Sequence, residues 1–152
     1  METLQRILKE HTFFVDLPPR RLELVVGCAA NARFQGGEFI FHEGEEAEKF
    51  YLIREGKVAL SISSERRGPL NILTLGEGDI LGWSWLFPPY RWKFSAKAIE
   101  PTRAFAMDGH CLRDKAELDH ELGYELLSRF ARIVETRLET MRLQLVNVYQ
   151  DK

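Results

Sequence analysis

Between Phe34 and Met107 the sequence breaks into short β-prone runs separated by glycine, and no other feature restricts the fold as much. The runs are Phe39 to Phe41, Phe50 to Ile53, Val58 to Ile62, Leu70 to Leu75, Ile80 to Leu81, Ser95 to Ile99 and Arg103 to Met107. Gly36, Gly37, Gly44, Gly56, Gly68, Gly76 and Gly78 punctuate them. No helical crossover separates one run from the next, so a parallel α/β sheet is disfavoured. Many short strands at near-regular spacing predict a β-rich α+β fold built on a β-sandwich or jelly-roll barrel. With 152 residues the chain is long enough for one domain with a real core. We divide it into a helical lead-in (1–32), a barrel (33–108) and C-terminal helices (109–152).

The flanks carry a different period. Leu4, Ile7 and Leu8 give the stretch Glu2 to Lys9 one apolar helical face. Pro18 and Pro19 suit a first helical turn, and Leu22, Val25, Val26 and Ala29 follow at helical spacing, which predicts about three turns ending near Asn31. Gly109 to Leu118 reads as a short helix or turn. From Asp119 to Tyr149 one long helix is expected, with Tyr124, Leu127, Ala131, Val134, Leu138, Met141, Leu145 and Val148 at alternating spacings of three and four. That heptad seam predicts a parallel homodimer, with Leu127, Val134, Leu138, Met141, Leu145 and Val148 at the interface. A second stripe, Leu126, Phe130 and Ile133, gives the first half of the helix a face for its own barrel. Arg137 and Arg142 would occupy like-charged g and e positions in such a pair, which opposes it.

Charge excludes some partners. The 21 basic and 23 acidic side chains leave a net charge of -2, so there is no global attraction to nucleic acid or to an acidic membrane. The arginines of the last helix, Arg129, Arg132, Arg137 and Arg142, are interspersed with Glu125, Glu135 and Glu139, a mixed face and not a phosphate-tracking stripe. No apolar run approaches the roughly 20 residues of a membrane span, and the N-terminus lacks a signal-peptide core. Cys28 and Cys111 stand far apart in no metal-like spacing, so reduced thiols and a cytoplasmic setting are expected. His11, His42, His110 and His120 form no metal or catalytic motif, so neither an enzyme nor a metal protein is expected.

The stretch Leu75 to Ala98, LGEGDILGWSWLFPPYRWKFSAKA, cannot be a simple strand. Pro88 and Pro89 remove two donors, and Trp83 to Phe87 has room for little more than one helical turn. Strand, glycine, helical turn, proline loop and return strand make a cassette able to present backbone N–H groups to an anion. In one reading Gly82, Trp83 and Ser84 hold a nucleotide or other anion, Arg91 or Lys93 supplies charge, and Trp83, Trp85 or Trp92 stacks on a flat ligand. In the other, the tryptophans plug the barrel mouth. The reading carried forward is a ligand.

A family resemblance enters at IFHEGEEAEKFYLIREG, Ile40 to Gly56. An apolar pair, Gly44, Glu45, Ala47, the apolar block Phe50 to Ile53 and Gly56 resemble the first signature of the cyclic nucleotide-binding domain family, with Phe41 where a smaller aliphatic residue is usual. The resemblance runs over nearly the whole chain. It implies a double-stranded β-helix (jelly-roll) barrel with a long C-terminal dimerisation helix, of the kind found in dimeric cyclic-nucleotide-responsive regulators. It also makes Gly82 to Lys93 the phosphate-binding cassette. Leu81 and Gly82 match the family's apolar-glycine pair. The glutamate expected next, which holds the ribose hydroxyl, is Trp83, whose indole accepts no hydrogen bond. The arginine expected to meet the cyclic phosphate falls at Trp92, or at Lys93 by ungapped counting. The implied function is a non-enzymatic sensor with no resident cofactor, binding a cyclic nucleotide or another small anionic ligand and signalling through the dimeric helix. The alternative is a ligand-free interaction scaffold. The family's regulators carry a helix-turn-helix domain after this helix, and DNA binding is not expected of this chain alone.

Overall fold

A computed structural model describes residues 2–150, with side chains from Arg6 onward. Leu4, assigned above to the first apolar face, lies outside the described side chains. The elements run α1 (Glu2–Glu10), α2 (Pro19–Val26), β1 (Ala29–Phe34), β2 (Phe39–Phe41), β3 (Lys49–Glu55), β4 (Val58–Ser64), β5 (Gly68–Leu75), β6 (Ile80–Leu81), a 3-10 turn (Ser84–Leu86), β7 (Ser95–Ala98), β8 (Thr102–Asp108), α3 (Gly109–Leu118) and α4 (His120–Gln150). Two four-stranded sheets, ordered β1-β8-β3-β6 and β2-β7-β4-β5, have only antiparallel pairs and enclose the core. This is the jelly-roll-like architecture, with flanking helices, that the run pattern and the resemblance imply.

Strand position follows apolar content. β8 lies between β1 and β3, and Ala104, Phe105, Ala106 and Met107 are buried in succession, as a strand covered on both faces requires. β5 is at an edge and is mostly exposed over its first half. α2 starts with Pro19 in its first turn, where the missing N–H costs nothing, and buries Leu22, Val25 and Val26.

Two expectations are corrected here. The second helix stops at Val26 and not near Asn31, so the helical lead-in ends before residue 32. Ala29 to Phe34 instead pairs residue for residue with β8, from Ala29 opposite Met107 to Phe34 opposite Thr102. The segment AANARF has little strand propensity of its own, and the unpaired edge of β8 decides its conformation.

The second correction concerns the cysteines, which are not free thiols: Cys28 and Cys111 form a disulfide, with Cα atoms 5.8 Å apart. The bond ties the entrance of β1 to α3 across 83 residues of sequence. The expectation of a cytoplasmic setting rests on reduced thiols, and that ground is removed. Cross-linking so long a segment restricts the unfolded chain, so Cys28→Ser with Cys111→Ser is expected to lower stability by about 2–4 kcal/mol, read from urea unfolding under oxidising conditions. Equal stability of this variant and the parent would mean that the thiols are unpaired in solution.

α4 has two faces. Leu122, Leu126 and Phe130 are buried and Ile133 packs against the same cluster, so the second stripe of the sequence is the barrel-facing one. Phe130 meets Phe13, Phe50 and Trp85 edge-on, with ring centroids 5.0, 5.0 and 5.6 Å away. Farther along, Gln144 donates to the carbonyl of Ile72 at 3.0 Å. On the outer face Leu127, Leu138, Leu145 and Val148 are exposed, Leu138 by 68%, while Val134 and Met141 are half-buried. None of the described helices is long and apolar enough to cross a membrane.

Candidate functional site

The cassette is built as its sequence requires but is packed from within. Gly82, at φ +96°, turns the chain out of β6, and the 3-10 turn follows over Ser84–Leu86. A cis peptide joins Pro88 and Pro89, and the return segment reaches β7. Trp85 is fully buried, stacked on Phe50 at 5.2 Å. Along the return segment side chains alternate: Trp92 and Phe94 point inward and are buried, while Arg91 and Lys93 point outward and are exposed.

Trp92 decides the shape of the site. Its ring lies parallel to Phe41, with centroids 3.6 Å apart and planes 6° from parallel. Its edge meets the backbone of Gly82, so close that a Cβ at residue 82 would stand 2.5 Å from Cη2 and Cζ3. Of the two positions where the resemblance puts the phosphate-holding arginine, Trp92 therefore carries an indole whose edge meets the cassette glycine, and Lys93 points to solvent. Phe41, the departure from the first signature, is the partner of that indole. Gly82 and Trp92 thus meet, Trp85 packs apart from Trp92 against Phe50 and Phe130, Ser84 is buried and Trp83 is half-buried.

The candidate cations are directed elsewhere. Arg91 donates from Nη1 to the carbonyl of Gly44 at 3.1 Å and lines an open groove with Lys49, Glu45, Glu46 and Glu48, where the carboxylates outnumber the cations and disfavour an anion. Lys93 stands in solvent. Among the described residues, the cations that touch the cassette come from the C-terminal helices, and spacing gave no sign of them. Arg113 of α3 donates to the carbonyl of Trp85 and stacks 4.3 Å above Tyr90. Arg137 of α4 donates to the carbonyl of Ile80 and lies 5.3 Å from the centroid of Trp83. Burial pulls the Arg137 guanidinium down to about 10, against the opposing pull of Asp79, so it stays charged at neutral pH. Arg137, placed above at a g position, is turned to the barrel, and Arg142 pairs with Glu139. The expected like-charge opposition at the helix surface is thereby reduced.

Comparison with known proteins agrees with this architecture. The model of the cyclic nucleotide-binding domain matches residues 32–119, more than half of the chain. The chain belongs to this family. A CRP-like cAMP-activated global transcriptional regulator of Mycobacterium tuberculosis is 30% identical over 137 residues, covering 85% of this chain and 59% of the regulator. The human cGMP-dependent protein kinase 2 is 29% identical over 82 residues, 53% of this chain and 11% of the kinase. Among solved structures, a cyclic nucleotide-binding protein from Geobacter metallireducens superposes with a TM-score of 0.80 at 30% identity, covering 88% of this chain and 97% of that one. The sensor domain of a transcriptional regulator from Pseudomonas aeruginosa shares the fold, with a TM-score of 0.73 at 19% identity over 91% of this chain and 95% of that domain. The chain spans about three fifths of the length of the CRP-like regulator.

Proposed function

We propose that this member of the family is a non-enzymatic regulatory module that acts as a homodimer through α4, with its cassette closed by its own tryptophan in place of a cyclic nucleotide. The observation that carries this reading is the Trp92 ring, its edge against Gly82 and its face on Phe41, at one of the two positions the resemblance gives to the arginine. A cyclic phosphate needs a fixed cation and free donors at that point, and indole offers a flat apolar surface instead. Trp83 in the glutamate position adds to this, because it cannot accept from a ribose hydroxyl. Arg113 and Arg137 tie the closed cassette to α3 and α4, the route by which a change in the barrel would reach the dimer.

Calorimetry decides the first half. Cyclic AMP and cyclic GMP at millimolar concentration are expected to give no binding heat. A saturable heat that disappears in Arg91→Ala/Lys93→Ala would overturn the closed cassette and restore a ligand held by those side chains.

The dimer rests on the apolar seam that the barrel leaves uncovered on α4. Sedimentation equilibrium should give twice the 17.7 kDa chain mass, and Leu138→Glu with Leu145→Glu should shift it to one chain mass, because each protomer would carry two carboxylates into the seam. A parent protein of single-chain mass at 100 μM would remove this half of the proposal.

A further inference from the structure

A cavity of about 280 Å³ lies outside the barrel, where the chain after α1, the turn before β6 and the middle of α4 meet. It is separate from the cassette: none of Gly82 to Lys93 lines it. Phe13, Ile80 and Ile133 form its apolar wall. The polar side carries positive charge with little to balance it. Asp79 is the one carboxylate in the lining, and its Oδ2 is engaged in accepting from the backbone N–H of Gly76 at 2.8 Å. Arg129 is mostly engaged, donating to the carbonyls of Phe13 and Val15 at 2.6 and 2.9 Å and pairing with Glu125 at 3.1 Å, with its buried Nε left without an acceptor among the described residues.

Two guanidinium groups remain. Arg137 uses Nη2 on the carbonyl of Ile80, but its Nη1 is buried and meets no acceptor, and among the described residues no carboxylate stands within ion-pair distance of it. Arg132, about one and a half turns earlier on the same helix, is exposed at the cavity mouth and has no ion-pair partner among the described residues. His11 adds a donor. Its Nδ1 accepts from the N–H of Phe13 at 3.0 Å, so the neutral ring carries its proton on Nε2. Burial holds this imidazole below its ordinary range, which makes the neutral form the one present at pH 7. A cation withdrawn from water with an open donor, and with Asp79 acting on it only from beyond ion-pair distance, is costly to keep unless an anion completes it.

We infer that this cavity binds a small organic anion, its carboxylate or phosphate group against Arg132 and Arg137 and its apolar body against Phe13, Ile80 and Ile133. The volume accommodates a body the size of a single aromatic ring, near the lower end for small-molecule sites. Because the walls come from the barrel and from α4 together, an anion bound here contacts both bodies whose relative position a regulatory helix would report. Neither Gly82 to Lys93 nor the proposed dimer-seam residues line the site, though Arg137 also reaches the cassette at Trp83.

The test is a titration of the full chain with benzoate, phenyl phosphate and neutral benzamide at constant ionic strength, following the methyl resonances of Ile80 and Ile133. At least one of the two anions should shift these methyls saturably, with benzamide at least about tenfold weaker. Arg132→Gln, an exposed change that leaves the core intact, should weaken the same anion by about tenfold, and Arg137→Gln should do so at least as strongly. Saturation by benzoate alone or by phenyl phosphate alone assigns the anionic group. Absence of saturable shifts with both anions, benzamide equal to them, or unchanged binding in Arg132→Gln would overturn the inference.

Discussion

Phe130→Ala is expected to lower stability by about 3–5 kcal/mol, the range for emptying a large aromatic site in a core. Phe130 is 2% exposed and is the ring through which α4 reaches Phe13, Phe50 and Trp85 at once. These three partners come from the loop after α1, from β3 and from the 3-10 turn, so the void opens where all of these units converge. Their fixed backbones cannot close around alanine, and the cavity term therefore adds to the lost burial. Urea unfolding gives the magnitude. Amide exchange should accelerate most in the first half of α4, ahead of the barrel strands. A loss below about 1 kcal/mol would mean that α4 is held by its polar contacts to the barrel and not by this aromatic junction.

Gly82→Val should be comparably severe, on the order of 4 kcal/mol, for two separable reasons. At φ +96° a β-branched residue is strained, a cost of about 1–3 kcal/mol. Its Cβ would also stand 2.5 Å from Cη2 and Cζ3 at the edge of the Trp92 ring, a buried side chain stacked on Phe41 with little room to shift. Gly37 supplies the control. It has φ +91° and no atom within 4 Å of the place a Cβ would take, so Gly37→Ala should show only the backbone part, about 1 kcal/mol. Thermal and urea unfolding of the pair check the difference. If Gly82→Val cost no more than Gly37→Ala, Trp92 would not be seated on residue 82, and the closed cassette would lose its support.

Much of the architecture could be read from local pattern. Glycine-punctuated runs gave seven of the strands, since each strand must alternate or bury its side chains wherever it pairs. The two stripes on α4 separated a barrel face from an outer face by helical geometry alone. The cassette outline, from Gly82 through the prolines, followed from backbone restrictions that act within a few residues. β1 escaped notice because its residues favour no strand, and only the free edge of β8 makes them one.

The sequence by itself determined where the chain turns, which segments are strands or helices, and which faces of them are apolar, because these depend on neighbours a few residues away. Tertiary structure alone decided that Cys28 meets Cys111, that Trp92 rather than a solvent-facing cation occupies the cassette corner, and that Arg137 turns from the helix surface to Ile80 and Trp83. Each of these joins residues far apart along the chain, and spacing carries no information about a distance that only the closing of the barrel and the docking of α4 bring about.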